Sequence, residues 1–461
     1  MKRIIYTVFL FVSVVFFNSC GFSSDSNTQA QDNTTTGTGE KPLDDIVFLP
    51  SKTKVPTLVV IMNWNDFSET DPKIWHDKIF NYSVNSVNRW YYDSTDGNIE
   101  FVPVTESEGS INDGVITVNM NKAHPGGFND TTFRDTEIAN AITSATVVDN
   151  VDFASLDIDN DGDISHTELQ IIFIVAGGEE SYGDSRGKSI WAHAWAFDSA
   201  SAPVVDGVNV MRTSLNSATA GSYARFGATH GIDTQDAHKA TIGIIAHELG
   251  HALLNLDDLY DIDNGGSGLG YYDIMSSGTW AKKEIDVFPG ETPVQFSAFS
   301  KFDANLDVNI TTVSASTVSS ISCSSGEFIK LTTASPNEYF IVACRDSSRI
   351  DSDKSFNYLD SEFTDNRLFA LVYHVDTNKT TNDESGNQTQ THHYKVRLVE
   401  KDPQNTLTSN ENVKANFSDS YIDGDFIQSA KLTTYDASAS YTITVEQSDY
   451  TKRTMRFRIE K

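Results

Sequence analysis

Apolar residues fall along the chain in several distinct patterns. Val55 to Trp64, VPTLVVIMNW, is a continuous apolar run and predicts a buried strand, as does Leu169 to Ala176, LQIIFIVA. Between them Ile74, Trp75, Ile79, Phe80, Val84, Val87 and Trp90 recur at helical spacing, and Arg134 to Val147 also reads as helix. The short runs NIEFVPV and GVITVNM predict strands. Ala237 to Leu254 predicts a helix whose apolar flanks, TIGIIA and ALL, make it largely buried. This mixture predicts one α/β (α+β) domain over 55–309. After about Asn309 the texture changes to β-branched and aromatic runs: FIKLTT, EYFIVAC, RLFALVYHV, YKVRLVE, SYTITVE and TMRFRIE. Polar loops separate them, which predicts an antiparallel all-β C-terminal domain over 310–461.

The predicted helix carries AHELGHALL. His247 and His251 stand four residues apart, so their imidazoles lie on one face and can converge on one zinc ion. Glu248 sits beside them and can act as general base toward a zinc-bound water that attacks a polarised carbonyl. Downstream stands GLGYYDIMSSGTW, Gly268 to Trp280. An extended H-E-x-x-H motif followed by a Met-containing turn resembles the metzincin-like metallopeptidases. Within these, HELGHALLNLDDLYD with GYYDIMSSGTW is similar to the immune inhibitor A family of secreted bacterial zinc peptidases. VPTLVVIMNWNDF, LDIDNDGD, SIWAHAW, NEYFIVACRD and LFALVYHVD are similar to that family in the same order, so the resemblance runs from about Val55 to Glu400. It implies a zinc endopeptidase with Met275 as an apolar floor beneath the metal.

The third ligand is open between two neighbours. The usual metzincin spacing counted from His247 lands on Asp257; counting back from DLYD aligns the family aspartate with Asp258. The family places glycine at the turn after the helix, where Leu254 and Asn255 stand here. Asn255 tolerates positive φ far better than leucine, which favours a helix one residue longer and Asp258 as ligand, with Asp257 as fallback. Tyr271 or Tyr272 could donate to an oxyanion, and His193 could line the cleft; core packing competes for all three.

DIDNDGDISHTE, Asp157 to Glu168, fits a twelve-residue calcium loop. Asp157, Asp159 and Asp161 stand at positions one, three and five, and Asp163 offers its carbonyl at seven. Glu168 closes the loop at twelve. A strand follows where a sensor would have a helix, so a structural site is expected.

The net charge of −30 over 461 residues excludes a nucleic-acid partner and leaves protein or peptide substrates. At the start, Lys2 and Arg3 precede the apolar run Ile4 to Phe17, which is too short to span a bilayer comfortably. Residues 1–20 therefore read as a lipoprotein-type signal, with Cys20 as the lipid-modified residue and 21–54 as a polar, disordered tether. The expectation is an extracytoplasmic lipoprotein, anchored to the outer membrane or cell surface or released, and a monomer. Cys323 and Cys344 could form a disulfide or stand as unpaired core cysteines. The competing function is a catalytically inactive, peptidase-like surface adhesion protein. Glu248 separates the two, because a decayed enzyme usually loses its base.

Overall fold

The computed structural model describes residues 53–461, apart from 84, 127–132, 185–186, 199, 214–220, 262–267, 324–325, 348–367, 383–392, 400–420 and 423–428. The signal, Cys20 and all but the last two residues of the expected tether lie outside the described residues. The two apolar runs become the middle of an eight-stranded sheet. Thr53–Asn63 and Gln170–Glu179 pair in parallel, with Leu58 beside Ile171 and Ile61 beside Ile174. Tyr223–His230 adds in parallel to Gln170–Glu179, and Ile99–Pro103 and Val115–Asn119 add in parallel to successive halves of Thr53–Asn63. Both faces are covered, so alternate residues enter two cores. Val59, Ile61, Ile172 and Ile174 face one, and Leu58, Val60, Met62, Ile171 and Phe173 face the other. Burial on both sides is why these strands read as unbroken apolar runs.

Three helical readings are modified. The spacing from Ile74 to Trp90 spans two helices, Pro72–Phe80 and Val87–Ser94. Asn85 takes φ 69° between them, and Ser86 caps the second by accepting the Arg89 N–H. Arg134 to Val147 resolves into a π-helical turn, Phe133–Ile138, and two single turns, Ala139–Ile142 and Ala145–Val148. The helix expected from Ala237 starts at Ile242, because His238–Lys239 pair antiparallel with Thr229–His230 and Thr241 is extended.

The C-terminal region forms two sheets. One contains Asn309–Val313, Glu327–Thr332, Glu338–Asp346, Leu368–Asp376, Val396–Leu398 and Tyr421–Ile422. The other contains Thr317–Ser322, Ser429–Thr433, Ser440–Asp449 and Thr454–Glu460. All pairs are antiparallel except Asn309–Val313 with Glu327–Thr332, which departs from the wholly antiparallel expectation. The intervening strand Thr317–Ser322 crosses to the other sheet, so the chain returns in the same direction. Cys323 and Cys344 form a disulfide that ties one sheet to the other; closing a loop of this size contributes roughly 3 kcal/mol.

The six-stranded sheet is buried on both faces. Ile329, Leu331, Phe340, Val342 and Ala370 meet the four-stranded sheet. Phe328, Ile341, Leu371, Tyr373 and Val375 share a core with the helix Ile242–Leu254. One hydrophobic core therefore runs across position 309/310, within the compact unit Leu49–Lys461.

Candidate metal centre

Ile242–Leu254 is buried over nearly its whole length, so its few polar side chains face a defined environment. The Tyr91 hydroxyl donates to the Ala246 carbonyl at 2.9 Å and ties the helix Val87–Ser94 to it. Gly250 lets the helix lie directly on the Met turn: a Cβ there would sit 2.5 Å from Met275 Sδ. Met275 is fully buried beneath the histidines' helix. Asp273 holds the turn, accepting the Met275 N–H at 2.7 Å on one oxygen and the Ser297 N–H and Ser300 hydroxyl on the other.

The helix ends where the turn argument puts it. Asn255 takes φ 52° and ψ 37°, and its N–H donates to the His251 carbonyl at 3.0 Å, a left-handed cap. The chain then folds back, and the Leu259 N–H donates to the Met275 carbonyl at 2.7 Å. This brings Asp258 to the histidines: its Oδ1 lies 3.2 Å from both His247 Nε2 and His251 Nε2. Asp257 turns the other way, is half exposed, and pairs with Lys395 at 2.7 Å.

The three atoms suit a metal. His247 Nδ1 lies 2.8 Å from the Ile274 carbonyl and His251 Nδ1 2.6 Å from the Leu256 carbonyl. A carbonyl can only accept, so each Nδ1 carries a hydrogen, and Nε2 is the atom left to give a lone pair to a metal once its own proton is displaced. The two Nε2 atoms are 3.2 Å apart, which makes an equal-sided triangle with Asp258 Oδ1. A tetrahedral zinc with bonds of about 2.0–2.1 Å spaces its ligands roughly 3.3 Å apart. Asp258 Oδ1 is buried and accepts no well-formed hydrogen bond, while Oδ2 accepts the Tyr260 hydroxyl at 3.0 Å.

The charges agree with this geometry. Burial opposes ionisation of Asp258, but the two imidazoles hold its carboxyl well below the usual range. Burial likewise opposes a charged His247, yet Asp258 and Glu248 push it up to about 9, so the trio attracts positive charge. Glu248 is buried beside it; burial raises its pKa and the imidazoles oppose that rise. Arg225, also buried, acts on Glu248 in the same sense as the imidazoles.

Other expected residues are placed differently. Tyr272 is fully buried in the core and Tyr271 packs against it; the Tyr260 hydroxyl donates to Asp258 Oδ2 at 3.0 Å. Sequence reasoning passed over Tyr260, although its place two residues after Asp258 in DLYD was a signal. His193 lies on the edge strand His193–Trp195, with Nε2 3.4 Å from the Tyr223 hydroxyl. That strand runs antiparallel to Tyr223–Arg225 and packs against the site helix.

The acidic loop gathers three of its five expected residues. Asp157, Asp159 and Asp161 bring carboxylate oxygens within 4.8 Å of one another. Gly162 takes φ 87°, and Ile164 is buried. Asp163 pairs through its side chain with Arg212. Glu168 lies outside the carboxylate cluster: Oε1 accepts the Ile158 and Asp159 N–H groups, and Oε2 accepts Ser165.

Residues 82–306 match the family model of the immune inhibitor A peptidase M6 catalytic domain. This segment is similar to an M6 peptidase catalytic domain. It contains the site helix, Asp258, the Met turn and the acidic loop; the strand Thr53–Asn63 precedes it, and Glu338–Asp346 and Leu368–Asp376 follow it. The match is thus narrower than the resemblance read from Val55 to Glu400. Two relatives, each a "Pre-pro-metalloprotease PrtV" from strains of Vibrio cholerae serotype O1, are 30% identical over 233 residues. The aligned part is 46% of this chain and 23% of each relative, so the chain spans about a quarter of their length.

Proposed function

We propose that the protein is a zinc-dependent endopeptidase with a metzincin-like site in a domain spanning 55–309. The observation that carries this reading is the triangle of two imidazole nitrogens and one carboxylate oxygen, 3.2 Å on each side, next to buried Glu248. His247, His251 and Asp258 would hold the zinc, which supplies Lewis acidity toward the scissile carbonyl and water. Glu248 takes the proton of the attacking water and passes it to the leaving nitrogen. Met275 packs below and keeps the ligand helix and Asp258 loop in register. The strand His193–Trp195 pairs antiparallel with Tyr223–Arg225 and packs against the site helix, so it lies beside the path of a bound peptide. Asp258→Ala should lose zinc at pH 7, measured by metal analysis after gel filtration, while Asp257→Ala keeps it. The opposite result would make Asp257 the ligand.

Two further features belong to this reading. The 157–168 loop binds calcium as a structural staple, supported by its three clustered carboxylates. Cys20 carries lipid and holds the protein at an extracytoplasmic membrane surface. Among the described residues no helix is long and apolar enough to cross a membrane. Cys20→Ser should move the protein from the membrane to the soluble fraction; wild type that is already soluble would mean an ordinary secretory signal.

A further inference from the structure

We propose that the β-rich region is a working part of the metal centre: Asn382, Tyr394 and Lys395 position the loop 256–261 so that Asp258 faces the histidines. This rests on the reading of His247, His251 and Asp258 as metal ligands. The loop has no regular secondary structure from Asn255 to Tyr260, so its path is set by what holds it. Its residues alternate in what they touch. Asp258 and Tyr260 turn to the metal site. Asp257, Leu259 and Asp261 turn to the β-rich region. Lys395 Nζ donates to Asp257 Oδ2 at 2.7 Å, Asn382 Nδ2 donates to the Leu259 carbonyl at 3.0 Å, and the Tyr394 hydroxyl donates to Asp261 Oδ2 at 2.8 Å.

These contacts are built into the core. Asn382 and Tyr394 are fully buried and Asp261 nearly so. Asn382 also grips Val396 in both directions, donating to its carbonyl and accepting its N–H at 3.0 Å each. Val396–Leu398 pairs in turn with Leu368–Asp376, whose Leu371, Tyr373 and Val375 share the core of the site helix. The loop is therefore held on one side by the Met turn and on the other by a strand edge. A cover that merely shielded the loop would not need a bond on each residue flanking the ligand. Holding the loop removes an ordering cost that metal binding would otherwise meet. Groups that orient a ligand in this way typically change metal affinity by about tenfold to a hundredfold.

The test uses the full chain and competition against a fluorescent zinc chelator, with a melting curve for each variant. Tyr394→Phe and Asn382→Ala should each weaken zinc binding about tenfold or more, with kcat near wild type once zinc saturates. Lys395→Met keeps the side-chain stem, loses the ammonium's contacts with Asp257, Asp303 and the Phe299 ring, and should show a smaller loss in the same direction; it remains informative should the buried variants fail to fold. Tyr441→Phe is the control, because its hydroxyl bonds the Thr332 carbonyl within the same region, away from the loop. Unchanged zinc affinity in Tyr394→Phe and Asn382→Ala, or in Lys395→Met when neither of those folds, overturns the proposal; so does an equal loss in Tyr441→Phe. Asp258→Ala separates the two levels: if it binds zinc as wild type does, the ligand assignment itself fails.

Discussion

Two imidazole lone pairs and a carboxylate oxygen, each 3.2 Å from the others, are not a stable arrangement without a positive charge among them. The surrounding backbone and side-chain groups maintain it. The Ile274 and Leu256 carbonyls fix both imidazole tautomers, and Tyr260 occupies the second oxygen of Asp258. Tyr260→Phe removes that hydrogen bond and nothing else from the half-exposed ring. Zinc affinity should fall about tenfold, while KM for a peptide stays near wild type; unchanged affinity would reduce Tyr260 to a bystander.

The site depends on where one helix stops. Asn255 in the left-handed region ends Ile242–Leu254 one residue later than a glycine in the place of Leu254 would, and that shift brings Asp258 rather than Asp257 beside the histidines. This much was legible, because the chemistry of asparagine at positive φ is local. The histidine pair, Glu248 and the Met turn were legible for the same reason. Gly250 was not: its need for no side chain comes from Met275, which only the fold brings against it. The break between Pro72–Phe80 and Val87–Ser94 was hidden by apolar residues that stay in helical register across it. The acidic loop is likewise a local motif, and its prediction is thermodynamic. Calcium at a hundred times its dissociation constant should stabilise the protein by about 2.7 kcal/mol, seen as a rise in melting temperature. In Asp157→Ala with Asp161→Ala that rise should vanish, and its persistence would leave the loop as an acidic turn.

The whole molecule joins parts that the sequence pattern separates. The change of texture near Asn309 marks real strands, yet Phe328 and Leu371 share one core with Leu249 and Met275. Contacts such as Asn382 to Leu259, 123 residues apart, and Tyr394 to Asp261, 133 apart, have no local signature. They put the β-rich strands within reach of the chemistry. The central claim is hydrolysis of peptide bonds with Glu248 as base, and one measurement tests it most directly. Wild type and Glu248→Ala, each with its zinc content measured, are incubated with a denatured protein mixture, with chelator and after zinc is restored, and new N-termini are read. Wild type should create new termini that chelator abolishes and zinc restores, and Glu248→Ala should create none while keeping its zinc. Cleavage by Glu248→Ala at the wild-type rate, or wild-type cleavage indifferent to chelator, would contradict the account.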